Sequence, residues 1–182
     1  DGFAVMDLGH VADDADALRT RLREADTVAD AVITSGGVSV GEADLVRRVI
    51  GELGDILVWR IAIKPGKPFA FGTLSKACFF GLPGNPVSAL VTLQQLAIPA
   101  LMQMQGGHWQ APWQLPATLL AAIKKKPGRA EYQRGLVSQD EHGNLLVTPL
   151  ANQSSGALTS MSRANAFVVL DQSDGTLPAG TR

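Results

Sequence analysis

The chain has 182 residues, 46% of them apolar, a formal net charge of −1 and one cysteine. That length holds one or two domains with a proper core, and the near-neutral balance excludes a global field drawing the chain to nucleic acid or an anionic membrane, so any basic site is local. A lone cysteine excludes an internal disulfide framework and a multi-cysteine metal cluster and fits a reducing compartment. Cys78 lies in the apolar run 77–80 and reads as core rather than nucleophile. No run reaches the roughly 18 consecutive apolar residues of a membrane helix, and no charged stretch followed by an apolar one opens the chain. The expectation is a cytoplasmic protein with neither membrane nor nucleic acid as partner.

Met6-Asp7-Leu8-Gly9 reads as a short strand-like run. Ala17, Leu18, Leu22 and Ala25 place one apolar stripe on a helix over 15–27, with Asp13 as its N-cap. Residues 29–34 have the β-branched content of a buried parallel strand and run at once into Ser35-Gly36-Gly37, a phosphate-facing type of turn. The next helix starts near Glu42, with Leu45, Val46, Val49, Ile50 and Leu53 inward. Asp44 then lies in its first turn, where a carboxylate either complements the helix dipole or holds Mg²⁺ against a phosphate.

A strand over 56–63 delivers the chain into Lys64-Pro65-Gly66-Lys67-Pro68. Two short strands follow at 69–71 and 77–80, and the second ends in Gly81-Leu82-Pro83-Gly84-Asn85-Pro86. A helix over 87–104 is kinked or divided at Pro99. Rigid Pro/Gly turns beside two ammonium groups suit an anion, because the binding geometry exists before the ligand arrives. The turns lie at the ends of parallel strands, where open α/β sheets bind ligands. Residues 106–112 read as a linker, and 113–182 as alternating strands near 115–119, 132–137, 145–149 and 166–170, a small barrel-like unit. Lys124-Lys125-Lys126 reads as a solvated turn.

Three stretches taken together, residues 35–44, 63–72 and 81–88, followed by Gly128-Arg129 and Gln133-Arg134-Gly135, resemble the molybdopterin molybdenumtransferases, the MoeA and gephyrin E-domain family. The resemblance implies a three-layer α/β molybdopterin-binding domain with a mostly parallel sheet over 6–105, then a C-terminal β-barrel domain over 113–182. It also implies insertion of molybdate into adenylylated molybdopterin with release of AMP, Mg²⁺ as cofactor and a homodimer. The adenylyltransferase of the same pathway enters as a partner. Lys64, Lys67, Ser88, Arg134 and Ser155 match positions that line the molybdate pocket. Gly36, Gly37 and Ser39 would cradle the pterin or its phosphate, Pro68, Pro83, Asn85 and Pro86 would shape the pocket, and Asp44 would serve as the catalytic and Mg²⁺-side carboxylate. Residues 1–5 resemble a motif of the family's distant first domain, which would add Asp1 to the active site. The first strand of the α/β domain has no counterpart, and the chain is expected to be a portion of a longer protein.

Two other functions share these residues: a molybdopterin-binding or scaffolding module without turnover, and the related adenylyltransferase. The lysine loop and the C-terminal barrel argue against the latter.

Overall fold

The computed structural model describes residues 2–38 and 43–182, with the side chains of Ala43 and Asp44 outside the description. In chain order the elements are α1 (Ala15–Val28), β1 (Ala31–Ser35), α2 (Ala43–Leu53), β2 (Asp55–Trp59), β3 (Ile63–Lys64), β4 (Ala70–Thr73), β5 (Cys78–Leu82), α3 (Pro86–Thr92), a π-helical turn (Leu93–Ala97), α4 (Ile98–Met104), β6 (Thr118–Leu119), β7 (Ala130–Gln139), β8 (Leu145–Pro149), α5 (Leu158–Arg163) and β9 (Ala166–Leu170). They fall into two compact units, one of Asp1–Arg60 with Pro68–Gly84, the other of Ile61–Lys67 with Asn85–Arg182.

The first unit is a four-stranded sheet, order β1-β5-β4-β2, with two helices. β1 and β5 pair in parallel, while β4 runs antiparallel to both β5 and β2, so three of the four strands share a direction. The short 74–77 connection makes β4–β5 a hairpin, which forces the one reversal. Leu22 and Ala25 of α1, Val46, Val49 and Ile50 of α2, and Val32, Ala70 and Phe79 of the sheet form its core. The cap of α1 is Asp14, not Asp13: its carboxylate accepts the Ala17 N–H at 2.8 Å. Burial pushes the Asp26 carboxyl up, but hydrogen bonds from the Ala77 N–H, the Ser75 hydroxyl and the Lys76 and Ser75 N–H groups outweigh it, holding the group below its ordinary range and tying the β4–β5 turn to α1.

Two sequence expectations fail locally. Met6–Gly9 forms no strand, because the Asp7 carboxylate takes the Gly9 N–H at 2.8 Å and turns the chain. The strand expected over 56–63 ends at Trp59: Arg60 adopts φ +71°, and its N–H donates to the Phe69 carbonyl at 2.9 Å.

In the second unit β7 is central. β9 pairs antiparallel with it over residues 131–135, β3 pairs in parallel at 130–131, β8 pairs antiparallel over 135–139, and β6 joins β8 in parallel. Among the described residues no ladder joins β6 to β9. The strand expected over 115–119 is reduced to Thr118–Leu119, since Pro116 cannot donate to a ladder. The helical run 86–104 is interrupted by the π turn ahead of Pro99, whose nitrogen has no hydrogen to donate to the regular bond of that turn. By length and mean hydropathy, 19 residues and 1.3, this run could cross a membrane. Val87, Val91 and Ala97 are nevertheless fully buried in the protein. Lys125 is buried too, its ammonium donating to the Asp174 carbonyl at 2.8 Å, so Lys124–Lys126 is not uniformly a solvated turn. Polar α5 lacks the apolar period that sequence reading relies on, and went unpredicted.

Candidate functional site

In the first unit the C-terminal ends of β1 and β5 lie side by side, as parallel pairing requires, and both open into glycine turns. Gly36 and Gly37 adopt φ +96° and +70°, a region L side chains rarely enter. The Gly36 N–H donates to the Leu82 carbonyl at 3.0 Å, and a methyl on Gly84 would lie 3.5 Å from the Gly36 Cα. A methyl on Gly37 would reach within 2.6 Å of Val46, so no side chain fits there. Two rigid turns are thereby held against each other, with Pro83 buried and Gly84 exposed at the rim. Among the described residues no trio of His, Cys, Asp and Glu is placed to hold a metal. Asp1 and Ser39 lie outside the described residues, as does the side chain of Asp44, whose backbone is the second residue of α2.

In the second unit the lysine loop leaves β3 and packs on α3. Gly66 has φ +122°, and a methyl there would stand 2.5 Å from the Thr92 side chain and 3.8 Å from the Ser88 carbonyl. The Lys64–Pro65 peptide bond is cis. Lys67 is exposed, with its carbonyl accepting the Ile61 N–H at 3.1 Å. Asn85 occupies the N-cap position of α3 without making a side-chain cap bond, and Pro86 fills the first turn, where its missing N–H costs nothing. The Val87 N–H is taken by the Ser155 carbonyl at 3.1 Å, which ties the Ser154–Ser155 loop to the start of α3. Ser88 is buried, and its carbonyl accepts the Thr92 hydroxyl at 2.9 Å.

β7 carries the charged side chains, and its period of two divides them. Glu131 and Gln133 share one face. There the Lys64 ammonium sits 3.2 Å from both Glu131 oxygens, and the Gln133 amide donates to Oε2 at 2.9 Å. Tyr132 and Arg134 share the other face, where Tyr132 meets Phe167 edge-on at 6.2 Å and Ile63, Val87, Val91 and Met161 complete a core. Arg134 is 1% exposed. Its Nε donates to the Ser160 hydroxyl at 3.0 Å, and its Nη2 donates to the Asn152 and Ser154 carbonyls at 3.3 and 3.0 Å. Gln153 adds a second brace, accepting the Arg134 N–H at 3.0 Å and donating to the Arg134 and Leu150 carbonyls at 2.8 and 2.7 Å. Burial pushes the guanidinium below its ordinary pKa, and no carboxylate lies within ion-pair distance of it among the described residues.

Arg134, Ser155 and Ser88 therefore gather around the start of α3, while Lys64 extends from the opposite face of β7. Sequence reading passed over Glu131 and named Gln133 only as part of the 133–135 motif, with no role. The available signal was a glutamate at an inward strand position two residues before a glutamine, where an apolar side chain is the ordinary choice.

Residues 1–103 match the family described as probable molybdopterin binding domain, and residues 116–182 match the C-terminal region, domain IV, of MoeA. The chain belongs to the MoeA family. It is 45% identical over 177 residues to the molybdopterin molybdenumtransferase of Haemophilus influenzae, an alignment covering 97% of this chain and 44% of that one. It is 32% identical over 197 residues to the gephyrin of Dictyostelium discoideum, covering 96% of this chain and 27% of the relative. Among solved structures, the MoeA protein of Pyrococcus horikosii superposes with a TM-score of 0.73 at 32% identity, covering 93% of this chain and 40% of that one. This MoeA-family chain thus spans less than half the length of these relatives.

Proposed function

We propose that this protein acts in molybdenum cofactor biosynthesis as a molybdenum insertase, transferring molybdate to the dithiolene of adenylylated molybdopterin with release of AMP. The observation that carries the proposal is Arg134: a buried guanidinium whose bonds go to neutral acceptors and which has no carboxylate partner among the described residues. A charge so far from water needs a counter-ion, and a bound oxyanion supplies one. Ser88 and Ser155 add hydroxyl donors beside it. Tetrahedral dianions favour this mixture of guanidinium and hydroxyl, since charge-assisted hydrogen bonds are the strong ones.

Lys64 lies on the other face of β7, so it and Arg134 serve two different anionic groups. The reaction provides two, the entering oxyanion and the phosphoanhydride of the nucleotide. We assign the oxyanion to Arg134, Ser88 and Ser155, and the phosphoanhydride to Lys64 and Lys67. The amides of Gly36, Gly37 and Ser39 would bind pterin or phosphate, with Pro68, Pro83, Asn85 and Pro86 giving the contacts their shape. Asp1 and Asp44 are proposed as the acidic residues, Asp44 toward Mg²⁺. The described residues do not by themselves form a site for that ion, and no step here runs through it. Relatives named as molybdenumtransferases support the reading, as do the two family matches. Domains over 6–105 and 113–182, the second a barrel, belong to the same proposal. A cytoplasmic homodimer working with the pathway's adenylyltransferase belongs to the same proposal.

The test is AMP release from adenylylated molybdopterin, with and without molybdate, in Mg²⁺. Release that depends on molybdate is expected. Binding without release would instead indicate a scaffolding module, and ATP-dependent adenylylation of molybdopterin an adenylyltransferase.

A further inference from the structure

We infer that Glu131 is a positioning residue for Lys64, holding its ammonium ready for the phosphoanhydride of the substrate. The inference rests on the proposed function. Lys64 and Glu131 are register partners on β3 and β7, so their side chains rise together from one face of the ladder. The two partners differ sharply in environment: the Glu131 side chain is 5% exposed and that of Lys64 44%. A buried carboxylate left alone is costly, so it recruits whatever donors its strand neighbours offer. Gln133, two residues along the same face, holds Oε2 at 2.9 Å and prevents the carboxylate from turning away. The ammonium sits 3.2 Å from each oxygen, astride the carboxylate. The ammonium carries three N–H groups against the two Glu131 oxygens, and the side chain that bears it is 44% exposed, which leaves it donor capacity for a ligand. A free lysine side chain would lose rotamer entropy on gripping an anion, and the clamp removes that loss beforehand.

The experiment compares the full chain with Glu131→Gln, Glu131→Asp, Lys64→Ala and the double variant Lys64→Ala/Glu131→Gln. Steady-state AMP release is measured while each substrate is varied in turn. Glu131→Gln is expected to raise the KM for adenylylated molybdopterin roughly five- to tenfold, leaving the KM for molybdate and the kcat nearly unchanged. Glu131→Asp, which keeps the charge, should recover much of the loss. The double variant should be no worse than Lys64→Ala alone, because Glu131 acts only through that lysine. Unchanged KM in Glu131→Gln, equal loss of both KM values, or additive effects in the double variant would each overturn the inference. Acetic anhydride labelling provides a readout independent of turnover. Lys64 should label more slowly than Lys67 in the wild type and at a similar rate in Glu131→Gln. Faster labelling in a chain that releases no AMP would keep the clamp and reject the insertase reading; unchanged labelling would reject the clamp itself.

Discussion

The two faces of β7 deal with positive charge in opposite ways. On one face the charge of Lys64 is met by Glu131, with Gln133 bracing the carboxylate. On the other, Arg134 is more deeply buried, yet among the described residues its side chain meets only a hydroxyl and two carbonyls. Three positions apart on one strand, Glu131 thus belongs to a balanced pair and Arg134 is an unbalanced cation. A balanced pair can preorganise a donor without attracting anions strongly. An unbalanced one, on the proposed function, would be stabilised further by a bound anion, which would couple stability to ligand.

The contrast is broken most severely by Arg134→Ala. It removes the donor to the Asn152 and Ser154 carbonyls and to the Ser160 hydroxyl and loosens the loop that holds Ser155 on α3. A loss of about 3 kcal/mol in urea unfolding is expected, from truncating a buried side chain together with its hydrogen bonds. Molybdate should raise the Tm of the wild type and not that of this variant, as calorimetry would show; equal shifts would remove Arg134 from the oxyanion site. Gly66→Ala comes next, at about 2 kcal/mol, because it combines a positive φ with a methyl pressed on Thr92. Its urea midpoint should fall together with the affinity for the nucleotide substrate, since the lysine loop packs directly on α3 at Gly66.

Asp26→Asn sharpens the comparison from outside β7, where a carboxylate is met by N–H and hydroxyl donors instead of a cation. About 1 kcal/mol is expected at neutral pH, from weaker hydrogen bonds to a neutral acceptor. Asp26 is held below its ordinary range in the folded state. Its contribution is therefore complete above the unfolded value, near about 4, and is lost as pH falls through the lower folded value. The Tm difference between wild type and Asp26→Asn should be constant from neutral pH down to that point and shrink below it. A difference growing on acidification would contradict the sign. Asp13→Ala should have the smallest effect, within about 0.5 kcal/mol, because Asp14 caps α1; an effect near that of Asp14→Ala would return the cap to Asp13.

Much of the architecture was legible because local signals agreed. The apolar period over Leu18, Leu22 and Ala25 marks α1, and the β-branched run into Gly36-Gly37 marks β1 and its turn. The order of the Gly, Pro and Lys motifs led to the family that the residue matches show. Less was legible where two local signals competed. Asp13 and Asp14 are equally good caps on paper, and the chain direction into α1 chose the second. Short polar α5 had no period to read, and the link from its Ser160 to Arg134 is long-range in sequence.

By itself the sequence determined most of the helices and strands and where the chain must turn, since these follow from periodicity and from the conformations open to glycine and proline, and its motifs named the residues on which the proposed chemistry rests. Only the tertiary structure decided how the charges are distributed. Whether a lysine or an arginine has a partner depends on register and on which face of a strand it takes. Pairing β3 with β7 sets Lys64 beside Glu131 and leaves Arg134 on the opposite face, and that difference of face separates a lysine with a carboxylate partner from a buried arginine that has none among the described residues.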